Sequence, residues 1–94
     1  SVDIEKIETM EELISANFKA NFYYLTTKTT RLYTDISFKS GDFIVFGPET
    51  RGLPEKYVKD KNALTIPMIE GQRSLNLSNS VAIVTYEVIR QNGI

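Results

Sequence analysis

The chain has 94 residues, 41% of them hydrophobic and 24% charged, which is the make-up of one ordinary globular domain with a small core and not of a disordered segment. Its 11 basic and 12 acidic side chains leave a net charge of −1, too little to gather a polyanion from a distance, so any nucleic-acid contact has to be local. With no cysteine and no histidine, a disulfide framework, a thiolate nucleophile, a sulfur-ligated zinc and a Ser-His-Asp triad are excluded, and no metal is expected.

In chain order, Thr9 with Glu12 three residues on has the form of a capping box. Met10, Leu13, Ile14 and Phe18 follow at near-helical spacing and predict a helix over 10–19. Phe22, Tyr23, Tyr24, Leu25 and Thr26 are aromatic, aliphatic or β-branched and predict a strand, with the tyrosines and Leu25 read first as core. The stretch 28–41 has weak periodicity and reads as loop with a short turn at 32–34. Ser40-Gly41-Asp42 then launches Phe43-Ile44-Val45-Phe46, whose unbroken apolarity predicts a strand covered on both faces, as in a parallel sheet. Pro54 suits the first turn of a helix reaching about Asp60, and 63–66 is a third strand stopped by Pro67. A final helix begins within 76–79 and runs to Gln91, with Val81, Val84, Val88 and Ile89 on one face and Gly93 as its C-terminal cap. Alternating strands and helices predict an α/β layered fold, a short parallel sheet flanked by helices.

Two loops hold the chemistry-bearing residues. The first, 47–54, leaves a buried strand and contains Gly47, Glu49, Arg51 and Gly52. It is either a plain strand-to-helix turn or a ligand loop, and Glu49 and Arg51 either pair on the surface or orient a substrate. The second places Ser74, Asn76, Ser78, Asn79 and Ser80 within seven positions ahead of an apolar helix. One of them is needed as the helix N-cap. The others are either a solvated loop or polar groups facing a cavity, with the alternation of Leu75 and Leu77 favouring the cavity. Ile66-Pro67-Met68 between the loops is ordinary core or the apolar wall of a small-molecule site. In open α/β sheets, loops leaving the carboxyl ends of neighbouring strands collect unpaired amides and helix N-termini, and that is where ligands bind.

The strings FGPETRGLP, IPM and RSLNLSNSVAIVTYEVIRQNG, in this order and spacing, resemble motifs 2 and 3 of the SPOUT (trefoil-knot) RNA 2′-O-ribose methyltransferases. The resemblance runs from about Met10 to Gly93 and is strongest to the small single-domain members that methylate the cytidine or uridine at the tRNA wobble position. It implies the C-terminal portion of an α/β knot domain, with 1–94 as a single unit and the N-terminal motif 1 half absent. Such a unit carries cofactor-binding loops and is expected to be inactive alone.

The resemblance further implies S-adenosyl-L-methionine as cofactor, held largely by backbone groups at Leu25, Gly47, Ile66 and Ser74. Glu49, Ser74 and Asn76 match positions at the reaction centre. An RNA substrate, a tRNA above all, and a homodimer packed through the last helix are implied as partners. No apolar run approaches the roughly 20 residues that span a bilayer, residues 1–6 are too charged for a secretion signal, and a cytoplasmic location is expected. The rival reading is a non-catalytic module, one that cradles a nucleotide anion in the 47–54 loop or one that only dimerises.

Overall fold

The computed structural model describes residues 10–47, 53–67 and 76–93. Three parallel strands, β1 (Phe22–Leu25), β2 (Phe43–Phe46) and β3 (Ala63–Leu64), form a sheet in the order β2-β1-β3. The helices are α1 (Met10–Ala16), α2 (Glu55–Val58) and α3 (Leu77–Asn92), with a short 3-10 turn at Tyr33–Asp35. Strand, helix and sheet direction agree with the α/β reading. Thr9, half of the expected capping box, lies outside the described residues.

β1 is central, and its side chains alternate between two cores because successive residues of a strand point to opposite faces. On one face Phe22 and Tyr24 are buried with Met10 of α1 and with Leu53 and Tyr57 around α2. Phe22 stacks on its register partner Phe43 at 4.5 Å, and Tyr24 stacks on Tyr57 at 4.9 Å. On the other face Tyr23 joins Ile36, Phe38 and Leu64, with Val88 of α3 against them. The Tyr23 and Phe38 rings meet edge to face at 5.3 Å.

Three expectations shift. α1 stops at Ala16, not at position 19: the Asn17 side chain donates to Leu13 O at 3.0 Å, the very carbonyl that its own backbone N–H reaches at 3.1 Å. The chain then turns, Ala20 N–H bonding Asn17 O at 2.9 Å, and Phe18 is thrown outward to 77% exposure instead of joining the apolar face. β2 is half-buried along its length, because among the described residues it is the edge strand of the sheet, flanked by β1 alone. Finally, 31–38 is more than loop. Leu32 pairs with Thr65 as a parallel bridge, the turn falls at Tyr33–Asp35, and Ile36 and Phe38 are core.

That bridge has a topological consequence. Thr65 N–H donates to Arg31 O at 2.8 Å and Tyr33 N–H to Thr65 O at 3.0 Å, while Thr26 N–H donates to Leu64 O at 2.9 Å. β3 is therefore held between two stretches of chain that are joined to each other by residues 27–30. The stretch 68–75 lies outside the described residues, and with it the threading that the resemblance to knotted methyltransferases implies.

α3 begins and ends as its sequence dictates. Asn76 Oδ1 accepts from Asn79 N–H at 2.8 Å, making Asn76 the N-cap, and Gly93 closes the helix at φ 79° with its N–H on Ile89 O at 2.7 Å. A positive φ is costly for any residue with a Cβ, which is why glycine sits there. Val84 is buried and Val88 packs on the sheet, whereas Val81 and Ile89 are half-exposed. The same face buries Glu87, an acidic residue that hydrophobic spacing does not flag.

Candidate functional site

The three strands end at nearly one level. Leu25 is paired with Phe46 on one side and with Leu64 on the other, so the last paired residues lie side by side. Gly47 and Ile66 come immediately after their strands' final paired positions, Phe46 and Thr65. Parallel strands direct the backbone groups beyond the ladder toward the carboxyl edge, where no further strand competes for them. Leu25, Gly47 and Ile66 thus meet along one edge of the sheet, Leu25 and Gly47 half-buried and Ile66 buried. This is the arrangement that a ligand held by main-chain groups requires.

The remaining residues singled out by sequence divide differently. Glu49 and Ser74 lie outside the described residues, as do Arg51 and Gly52. Asn76 is exposed at the start of α3, and its carbonyl oxygen is committed to the helix cap. One amide group therefore serves the fold directly, and its Nδ2 is the part of the side chain left to address a ligand.

Burial raises the pKa of the Tyr23 phenol, with the Asp42 carboxylate adding to the shift and Arg31 opposing it. Burial likewise raises that of Tyr24, reinforced by Asp60. Both hydroxyls stay protonated at neutral pH, so the two tyrosines add no charge to the core. Among the described residues no three acidic side chains are grouped to hold a metal ion, and no helix is long and apolar enough to cross a membrane.

Sequence reasoning missed a polar cluster at the far end of α3. The Gln91 side-chain amide pairs with the 36–38 backbone as a strand would: Oε1 accepts from Phe38 N–H at 2.8 Å and Nε2 donates to Ile36 O at 2.8 Å. Glu87 Oε2 receives a second bond from Gln91 Nε2 at 2.8 Å, and Arg90 grips the same carboxylate with Nε at 2.7 Å and Nη2 at 2.8 Å. Asn92 Nδ2 adds a bond to Phe38 O at 3.1 Å. These donors, the Arg90 bonds foremost, hold the Glu87 pKa down to about 2. The signal was present as Glu87, Arg90 and Gln91 at helical spacing of three and four.

Over residues 1–86 the chain matches the SpoU rRNA Methylase family. It belongs to that family. Within it, the chain is 49% identical over 78 residues to a Photorhabdus asymbiotica protein named tRNA (cytidine(34)-2′-O)-methyltransferase, covering 79% of this chain and 48% of that one. A crystal structure from Bacillus anthracis, described as a candidate RNA methyltransferase, superposes with a TM-score of 0.79 at 39% identity over 90% of this chain and 58% of that one. A Sinorhizobium meliloti rRNA methyltransferase, solved with AdoMet (S-adenosylmethionine) bound, gives 0.71 at 26% identity over 87% and 33%. The SpoU fold and the short parallel sheet flanked by helices therefore agree. The chain spans about half the length of the curated relatives it matches.

Proposed function

We propose that the protein acts as an S-adenosylmethionine-dependent 2′-O-ribose methyltransferase on tRNA, and that this chain, as the C-terminal part of the domain, contributes its cofactor-binding edge. The observation that carries the reading is the meeting of Leu25, Gly47 and Ile66 where the three strands run out. A family of methylases and relatives named for wobble-cytidine methylation support it. The residues fit the group: an edge of main-chain donors and acceptors suits the adenosine and amino-acid parts, and the apolar side chains of Leu25 and Ile66 suit the adenine ring.

When bound, S-adenosylmethionine supplies a methyl group on a sulfonium centre. The protein's task is positioning: a ribose 2′ hydroxyl has to lie in line with the methyl–sulfur bond at near-attack distance. Ser74 and Asn76 hold cofactor and ribose by hydrogen bonds, Asn76 through its Nδ2, and Glu49 orients an arginine. The site is completed by a second copy packed on α3, whose Tyr86 is 72% exposed on the face turned away from the sheet. A protein acting on tRNA is expected to work in the cytoplasm.

Titration calorimetry with S-adenosylhomocysteine, set against adenosine monophosphate, tests this. Binding of the first and not the second is expected, together with no methyl transfer by the 94-residue chain alone. Equal binding of both ligands would favour a nucleotide-cradling module, and heat from neither would leave only a dimerisation role.

A further inference from the structure

We propose that the 26–31 loop, together with Lys61, is the docking surface for the phosphodiester backbone of the RNA next to the methylated ribose. The inference rests on the methyltransferase reading above and adds to it where the substrate's charge is met.

The loop reads Thr-Thr-Lys-Thr-Thr-Arg, with two cations, four hydroxyls and no acidic residue. It leaves β1 directly after Leu25 and returns beside Thr65, so it stands at the carboxyl edge between two of the three residues assigned to the cofactor. Both of its ends are fastened to β3, Thr26 through Leu64 O and Arg31 through Thr65 N–H. Inside it, Lys28 N–H donates to Thr26 Oγ1 at 3.1 Å, closing a tight turn. Arg31 Nη1 donates to Lys61 O at 2.6 Å, which draws the guanidinium alongside a third basic residue.

Lys28, Arg31 and Lys61 are all exposed. The ion pairs among the described residues are Lys56–Glu11, Lys59–Glu55 and Arg90–Glu87, and none of them engages these three. The acidic residues closest in sequence make local backbone bonds, Asp35 Oδ2 accepting from Leu32 N–H and Asp60 Oδ1 from Asn62 N–H. A chain with a net charge of −1 has thus set two cations on an anchored loop at its carboxyl edge, with a third, Lys61, two residues ahead of β3 and reached by the Arg31 guanidinium. Hydroxyls between cations suit phosphate oxygens, which take hydrogen bonds from Thr as readily as from Lys and Arg. An acidic protein partner would instead call for apolar anchors, and this loop offers no aromatic or aliphatic side chain.

The test measures binding of a fluorescent anticodon-arm RNA hairpin to the chain by anisotropy, over about 0.05 to 0.3 M potassium chloride, because phosphate contacts declare themselves as a salt slope. Lys28→Ala with Lys61→Ala is the informative variant, since both side chains are exposed and neither joins an ion pair among the described residues, and circular dichroism can verify the fold. The slope of log affinity against log salt should become shallower by about 1.4, two contacts at roughly 0.7 each for single-stranded RNA. Affinity for S-adenosylhomocysteine should not change. An unaltered slope, no hairpin binding by the parent chain, or weakened binding confined to inorganic polyphosphate would each overturn the proposal. Loss of hairpin binding in the variant, in a chain that never binds S-adenosylhomocysteine, would uphold the surface and sink the cofactor reading instead.

Discussion

The two faces of the sheet are closed in different ways. The face under α1 and α2 is sealed by aromatic rings and aliphatic chains: Phe22 on Phe43, Tyr24 on Tyr57, and Met10 and Leu53 around them. Its polar contact with solvent is slight, a pairing of Glu11 with Lys56 between two exposed side chains. The opposite face has a smaller apolar cluster, with Leu64 at its centre, and is fastened by side-chain amides of α3 bonded to the main chain of 36–38. One face is held by area removed from water, the other by area plus a directional clamp. The clamped face is also the one on which the chain crosses from the carboxyl edge back to β2, so its stability and the placement of the edge loop are linked.

The largest effect should come from the centre of the clamped face. Leu64 is fully buried on β3 among Tyr23, Ile36 and Phe38, and truncation leaves a cavity that paired strands on both sides cannot collapse into. Leu64→Ala should lower unfolding free energy by about 2–5 kcal/mol in urea titration, with an unchanged m value. A smaller loss than Met10→Ala produces on the other face would show that the apolar cluster around Leu64 is secondary to the clamp.

Gln91→Ala comes next and addresses the clamp itself. It strands Phe38 N–H and Ile36 O, two main-chain groups beside buried side chains, and the cost of such orphaned groups is about 1–3 kcal/mol. Gln91→Glu makes the comparison sharper. It keeps an acceptor for Phe38 N–H, removes the donor to Ile36 O, and sets a second carboxylate against Glu87. If the clamp acts as a paired amide, Gln91→Glu should fare no better than Gln91→Ala by the same urea measurement.

The apolar face and the sheet were legible from residue order because they depend on patterns that sequence displays: the aromatic run at 22–25, the unbroken apolar run at 43–46, and the glycines at turns. So were the caps of α3, since Asn76 and Gly93 are residue types with one clear use at a helix end. The clamped face was harder to read. Ile36 and Phe38 flank Ser37 in strand-like alternation, but a two-residue signal inside a polar stretch is weak against the threonines and serines around it. The bridge of Leu32 to Thr65 joins positions 33 apart and leaves no local mark. In the candidate site, Leu25, Gly47 and Ile66 meet because three strands end together, a matter of register that no single segment reveals.

The smallest effect, and the most specific, concerns Glu87. Its carboxylate titrates near 2 in the folded chain against an ordinary 4.5, because Arg90 and Gln91 donate to the charged form. The folded state therefore binds a proton less readily than the unfolded one. The stabilisation is complete above about 4.5 and drains away as pH falls toward 2. Glu87→Gln removes the charge at every pH, so the gap in urea midpoint between parent and variant should be widest at neutral pH and close by about pH 2. The Glu11–Lys56 pair supplies the control from the opposite face: both side chains are exposed, and Glu11→Gln should shift the midpoint little at any pH. A Glu87 gap that stayed constant with pH would mean that this side chain holds Gln91 by shape and not by charge, and the clamp would then be one more form of packing.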